Sequence, residues 1–506
     1  MNYLLGLDIG TSGVKAILIS VDGKIIDTKQ RTYPLSSPRS GWTEQNPGDW
    51  WQETQKVIAE IIQKNPVDSA RIKALSLSGQ MHSSVFLDKN REVIRPAILW
   101  SDTRTSKQCQ EIYNKVGGVK KLINQVSNKA LEGFTAPKIL WLRENEPANY
   151  EKISTLLLPK DYIRYKLTGE LATEESDAAG TILYDVKKRE WSTEVLKSLN
   201  IDKGILPPVL KSIDAAGKVS DEIAKKTGLK AGTPVIAGGA DNACGAVGSG
   251  IVKEGKVMVS IGSSGVVLAQ TNEAVADQEG RIHLFNHANP GSWYLMGVML
   301  SAGMSFSWLK ESLYDNQYDY STLNKKAAET EPGSDGLLFL PYLYGERAPY
   351  ADADARGVHF GISGEHKVGH FARSVMEGVS FGLKDSLELM RAQEVKINEV
   401  RAIGGGSKSK IWQQILADIL GEEISLINIE EGPAFGAALI AGVGIGVYND
   451  FKEVEEKIIK VSDKIKPIKE NVEIYQNYYQ LYQSLYDSLE SDFKKLTSIR
   501  DSINSS

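Results

Sequence analysis

At 506 residues the chain is longer than one hydrophobic core supports, so two domains are expected. Its 42% hydrophobic and 24% charged residues describe an ordinary soluble globular protein, and a net charge of -5 gives nucleic acid or an anionic membrane nothing to attract. Two cysteines, Cys109 and Cys244, are too few for a disulfide or zinc framework and fit a reducing, cytoplasmic setting. The opening "MNYLLGLDIG" reads as neither a signal nor a transit peptide. The longest small-apolar run, Phe435 to Tyr448, is shorter than the roughly 20 residues that span a bilayer.

Leu4 to Leu7 is a short apolar run, followed by a Gly-rich turn and "VKAILIS", which predicts a hairpin with small residues at its tip. "GKIIDTKQRTYPL" predicts a third strand. "NPGDWWQETQKVIAEIIQK" opens on Pro and Asp and continues with apolar residues at helical spacing, so an amphipathic helix is expected. "IKALSLSGQMHSSVFLD" reads as strand, loop, strand, and the stretch from Ser101 to about Ala231 as mostly helical. "TPVIAGGADNACGAVGSG" is a strand running into a helix of small residues.

After Gly250 the pattern restarts. "GKVMVSIGSSGVVLAQT" is again strand, tight turn, strand; "GSWYLMGVMLSAGMSFSWLKES" is strand, Gly turn, helix; "EVRAIGGGSKSKIWQQILADILGEEISLI" is strand, triple Gly, helix, strand. "EGPAFGAALIAGVG" predicts a small-residue helix, and Asn471 to Leu496 a long amphipathic helix before a Ser-rich end expected to fray. Two α/β halves with a shared beginning follow, residues 1–247 and 248–506, related by duplication of a whole domain and not by a short-period repeat.

The repeated element is chemically specific. Ile9-Gly10-Thr11-Ser12-Gly13-Val14 matches Ile261-Gly262-Ser263-Ser264-Gly265-Val266 except for a Thr/Ser exchange. Glycines admit close backbone approach, and successive amides with added hydroxyls converge on an anion. Two such turns across a cleft would hold a polyphosphate from both sides; each alone is also an ordinary hairpin tip. Asp8 precedes the first turn, whereas Ser260 holds its place in the second. A carboxylate aimed at polyphosphate needs a cation between them, and magnesium, satisfied by one or two carboxylates, is that cation. A second phosphate-like stretch, "GIVKEGKV" from Gly250, has the G-x-x-x-x-G-K spacing but ends in Val257 and runs into a strand; Lys256 is read as an exposed turn lysine.

Asp241 ends a strand beside a helix of very small residues, where it either accepts the proton of a hydroxyl undergoing phosphorylation or caps that helix. Asn242 is placed to fix a sugar hydroxyl. "SGQMHSS" carries Met81 and His82, read either as a binding loop or as a structural histidine beside a methionine. "LWSDTRT" supplies Trp100, Asp102 and Arg104, the aromatic and bidentate mix a polyol site uses, or a capped loop. "GGGSKSK", Gly404 to Lys410, would let a flat base approach the backbone, or is a plain strand-to-helix turn.

These motifs together resemble the FGGY carbohydrate kinases, within the superfamily of actin, hexokinase and the heat-shock chaperone ATPases. "DIGTSGVK" and "SIGSSGV" are similar to the family's phosphate motifs, "GFTAPKILWLREN" to its N-terminal signature and "GGGSKSKIWQQILADILG" to its adenosine motif, in family order from Tyr3 to Leu489. "GQMHS", "LLPKDYIRYKLTGE", "ESDAAGTILYDV", "GGADNACGAVG" and "FLPYLYGERAPYADADARGVHFG" direct the likeness to members acting on D-xylulose. The resemblance implies an α/β fold of two ribonuclease H-like domains around a central cleft, with ATP and Mg2+ as co-substrate and metal. It implies Asp241 as proton acceptor and Met81, His82, Asp241 and Asn242 around the sugar. It implies Asp8, Thr11, Ser12, Gly262, Ser263, Gly303, Ser307, Gly404, Gly405 and Ser409 at nucleotide and metal. A homodimer is compatible with it. Two rivals stay open: another sugar such as gluconate or ribulose, and a non-catalytic nucleotide switch of the same superfamily.

Overall fold

The structure, a computed structural model, describes residues 1–65, 67–429 and 431–504. Two sheets carry the fold. In the first the strands lie in the order Ala215–Lys218, Pro234–Ala240, Ile72–Gly79, Tyr3–Ile9, Gly13–Ser20, Ile25–Thr32. In the second the order is His283–Asn286, Trp293–Met299, Gly265–Thr271, Gly255–Ile261, Ile397–Ile403, Ile424–Ile427, Val461–Ile465.

The predicted duplication extends far beyond the repeated turn. Each sheet starts as a three-stranded antiparallel meander. Each then adds two strands parallel to the first strand and ends on an antiparallel edge. His283–Asn286 is an addition of the second half, paired outside its meander. The repeated turns nevertheless differ in register. Ile9 pairs with Val14 across the first, whereas Ile261 pairs with Gly265 across the second, one residue tighter. Identical sequence does not impose an identical hairpin, because the register is fixed along the whole strand pair.

The two small-residue helices, Asp241–Gly248 and Gly432–Gly444, follow equivalent strands of the two halves and pack against each other. Their glycines make the approach possible: a Cβ on Gly248 would lie 2.7 Å from the Gly432 carbonyl oxygen, and one on Gly436 would collide with the Cys244 carbonyl. Gly432–Gly444 also lies on the first sheet, with Gly6 against Ala434, so the second half contributes a helix to the first half's core. One apolar core accordingly runs through both halves, while a second, with Leu5, Leu7, Ile9, Val57 and Leu77, belongs to the first half alone.

Two expectations are corrected. Lys256 is neither exposed nor in a turn: it lies on the strand Gly255–Ile261, 6% exposed, and is ion-paired with Glu399 and Glu455. The C-terminal helix does not fray after Leu496 but spans Lys469–Asn504; Ser505 and Ser506 lie outside the described residues. Cys109 and Cys244 are buried and unbridged. Among the described residues no helix is long and apolar enough to cross a membrane.

Candidate active site

Asp8 is the penultimate residue of Tyr3–Ile9, and Asp241 begins the helix after Pro234–Ala240. Only Ile72–Gly79 separates those two parallel strands, so both carboxylates emerge at the carboxyl edge of the sheet, where open α/β folds bind ligands. Ser78 of the intervening strand donates to Asp8 Oδ1 at 2.9 Å. Burial raises the pKa of both groups. That of Asp241 reaches about 7, with the Asp8 charge as the second cause. The backbone N–H and Nδ2 of Asn242 donate to Asp241 Oδ1 at 2.7 and 2.9 Å. Asp241 Oδ2 is left without a protein donor, and no cation pairs with Asp241 among the described residues.

The strand carrying Asp241 is held by a buried polar network that composition and motif reading did not single out for a role. Ser176 Oγ accepts from the Ala240 N–H at 2.9 Å and donates to Glu174 at 2.8 Å, while Arg164 donates to the Ala237 carbonyl at 3.2 Å. Lys160 lies 2.8 Å from Asp161, 2.9 Å from Asp177 and 3.3 Å from Glu174, all with fully buried side chains. Two cations face three carboxylates, and burial pushes Asp177 well above the usual carboxylate range against the opposing charge of Lys160. The spacing "PKDYIR" with "ESD" was the available signal, but only the fold brings the two segments together.

Met81 is brought beside Asn242, the residue after Asp241: Asn242 Nδ2 lies 3.8 Å from the Met81 sulfur. His82 has φ 67°, a left-handed conformation, and its carbonyl is fixed by Thr135 Oγ1 and Lys138 Nζ, each at 3.0 Å. Its Nδ1 lies 2.7 Å from the Gly180 carbonyl. A carbonyl only accepts, so Nδ1 carries the ring proton and Nε2 remains an acceptor. Burial, with smaller effects from the Lys138 and Arg347 charges, holds the ring neutral. His82 is thus structurally anchored, and its Nε2 is the ring nitrogen left as an acceptor.

The polar loop at Trp100 departs from the expectation. Asp102 is saturated by the protein itself. Its Oδ1 accepts from Arg104 N and Nε at 3.0 and 2.8 Å, and its Oδ2 accepts from Thr43 N and Arg104 Nη2 at 2.6 and 2.7 Å. Arg104 also pairs with Glu44 at 2.7 Å and lies 3.7 Å over the Trp42 ring. Asp102 already accepts four hydrogen bonds, and Arg104 spends its Nε and Nη2 donors on it, so this pair is tied first of all to the loop itself. Trp100 donates from Nε1 to Thr11 Oγ1 at 2.8 Å and fixes the first turn, where Gln45 Nε2 also reaches the Thr11 carbonyl at 2.8 Å.

On the second half a cavity of about 510 Å³ is lined by Gly262, Ser263, Gly303, Ser307, Gly405 and Ser409, with Phe306, Tyr320 and Trp412 as aromatic walls. It brings together all the second-half residues expected at the nucleotide except Gly404, which borders a neighbouring cavity. The Ser263 carbonyl accepts from Ala302 N and Met304 N at 2.9 and 3.1 Å, so the turn and the helix Gly303–Trp308 are locked together. Ser409 caps Lys410–Leu420 and Ser307 Oγ bonds Tyr320 OH at 2.9 Å. Thr11 and Ser12 do not line this cavity; they belong to the turn between Tyr3–Ile9 and Gly13–Ser20 of the first half.

Residues 3–248 match the N-terminal domain, and residues 257–445 the C-terminal domain, of the FGGY family of carbohydrate kinases. The chain is 43% identical over 475 residues to a xylulose kinase of Bacillus subtilis (strain 168), covering 94% of this chain and 95% of that one. A solved xyloylose kinase from Brucella ovis aligns with a TM-score of 0.91 at 35% identity, over 97% of this chain and 100% of that one. A gluconate kinase from Lactobacillus acidophilus aligns with a TM-score of 0.93 at 27% identity, over 98% and 99%. Sequence match, duplicated topology and the carboxylates at the sheet edge agree: the chain belongs to the FGGY family of carbohydrate kinases.

Proposed function

We propose that this kinase transfers the γ-phosphoryl group of ATP to the 5-hydroxyl of D-xylulose, giving D-xylulose 5-phosphate and ADP. The observation that carries the chemistry is Asp241 Oδ2, a carboxylate oxygen without a protein partner among the described residues, next to Asn242 at the Met81 loop and one strand away from Asp8. The sugar oxygen bonds to the γ-phosphorus, the bond to the β-γ bridging oxygen breaks, and the hydroxyl proton passes to Asp241. Phosphoryl transfer asks for little more than in-line positioning and such an acceptor. Asn242 holds Asp241 in place, and His82 Nε2 accepts from a sugar hydroxyl. The choice of D-xylulose is supported by the relatives at 38% to 43% identity that are named xylulose kinase.

Mg2+ fits the donor set. Asp8 offers one half-buried carboxylate near a second, Asp241, which suits an ion that takes one or two carboxylates and its other ligands from water and nucleotide. Bound by Asp8, the ion would neutralise phosphate charge. Gly262, Ser263, Gly303, Gly405 and Ser409 would receive the nucleotide, with Thr11 and Ser12 facing its phosphates. Closure of the halves would exclude water as a competing acceptor. The test is ADP release with a panel of ketoses, polyols and aldonates. D-xylulose is expected to give the highest kcat/KM; far better turnover of gluconate would replace the substrate and keep the kinase.

A further inference from the structure

A cavity of about 680 Å³ between the halves is lined by Trp100 and Glu132 from the first and by His283, Tyr344, Glu346 and Arg347 from the second. Met304 lines both this cavity and the nucleotide cavity, so the two adjoin. His283, which lines this cavity, packs on Phe134 at a centroid distance of 5.6 Å, and His82 packs on the same ring at 4.2 Å. The chamber thus adjoins the cavity proposed for the nucleotide and, through Phe134, neighbours the Met81–His82 loop.

Arg347 is the unusual group in it. Arg347 is half-buried, whereas the buried Arg164, Arg373 and Arg401, and Arg104 with its buried side chain, each hold a carboxylate. No carboxylate reaches Arg347 within ion-pair distance among the described residues; its guanidinium lies 5.8 Å from the Trp100 ring centroid. Burial lowers its pKa, and the facing carboxylates Glu132 and Glu346 act against that without contact. The backbone beneath it is rigid. Glu346 Oε1 accepts from Leu300 N and Arg347 N at 3.0 and 2.7 Å, and Ala348 N donates to the Val298 carbonyl at 3.0 Å. Tyr486 of the C-terminal helix donates to Asp352 Oδ2 at 2.9 Å, and Asp352 pairs with Glu346 through two 2.8 Å backbone bonds. A half-buried guanidinium that lines this cavity and meets no carboxylate at ion-pair distance among the described residues keeps its N–H donors for a ligand there.

We propose that Arg347 is the second half's contact to the acceptor sugar, donating to the oxygens at the end of the ketose remote from the 5-hydroxyl, while Glu132 accepts from the same end across the cleft. The sugar then bridges the halves, and its arrival favours closure over the nucleotide. This rests on the proposed function for its ligand. It adds a specificity residue where the motif "YGERAPY" was read only as a likeness.

The test compares wild type, Arg347→Met, Arg347→Lys and Glu132→Gln by steady-state kinetics with D-xylulose and by calorimetric binding of ADP. A charge-assisted hydrogen bond predicts that Arg347→Met raises the ketose KM by about 10- to 100-fold while ADP affinity stays within about twofold. Arg347→Lys should fall between, and Glu132→Gln should raise KM less. An unchanged KM in Arg347→Met overturns the proposal, as does a parallel loss of ADP affinity, the mark of a merely structural residue. If wild type ignores D-xylulose, the substrate reading fails separately; Arg347→Met must then raise KM for whichever acceptor wild type uses, and an unchanged KM there also overturns the proposal.

Discussion

Gly6 lies so close to the carbonyl oxygen of Ala434 that no Cβ fits between them. Gly6 is on the central strand of the first sheet and Ala434 on a helix of the second half, so this contact joins the two halves of the chain. Gly6→Ala is expected to cost about 3 kcal/mol or more, because the obstacle is backbone and cannot swing aside. Thermal unfolding should show a lower Tm; a wild-type Tm would mean the halves meet differently.

Gly405 behaves oppositely. A Cβ there meets no protein atom, yet Gly405 lines the cavity proposed for the nucleotide. Gly405→Val should leave Tm unchanged and raise the KM for ATP by about tenfold or more, since the added methyls enter only the ligand's space. Steady-state kinetics at saturating sugar check this, and an unchanged KM would move the base elsewhere.

Asp102→Asn tests the reassignment of the Trp100 loop. Removing one member of a buried bidentate pair should destabilise by about 3 kcal/mol while the KM of the correctly folded fraction for D-xylulose stays within about twofold. Calorimetry and kinetics separate the two effects; a large KM change at constant Tm would return Asp102 to the sugar.

Burial and the Asp8 charge raise Asp241 to about 7, and a protonated carboxyl cannot accept the sugar proton. kcat is therefore expected to be full at higher pH and to fall as pH drops through the Asp241 pKa. A cation beside Asp8 offsets the neighbouring negative charge and moves that midpoint below 7. A pH profile at saturating substrates reads the acidic limb; a flat rate between about pH 5 and 8 would contradict the role.

The meanders, the duplication and the residues at the sheet edges were legible because strand period, Gly-rich turns and small-residue helices are local signals. The one-residue difference between the turns was not, since register is decided along whole strands. Lys256 read as exposed because its partners, Glu399 and Glu455, are remote in sequence. Asp102 and Arg104 looked like binding groups for the same reason their pairing works: close spacing lets them satisfy each other. Arg347 was invisible as a site, because its isolation from carboxylates exists only in three dimensions.

The central claim is that Asp241 takes the proton of the sugar hydroxyl, and Asp241→Asn isolates it by keeping size and removing basicity. Turnover of D-xylulose should fall by about 10²- to 10⁴-fold, with ADP and sugar affinities kept within a few-fold. Near-wild-type turnover in this variant, with the product confirmed as the 5-phosphate, would contradict the account.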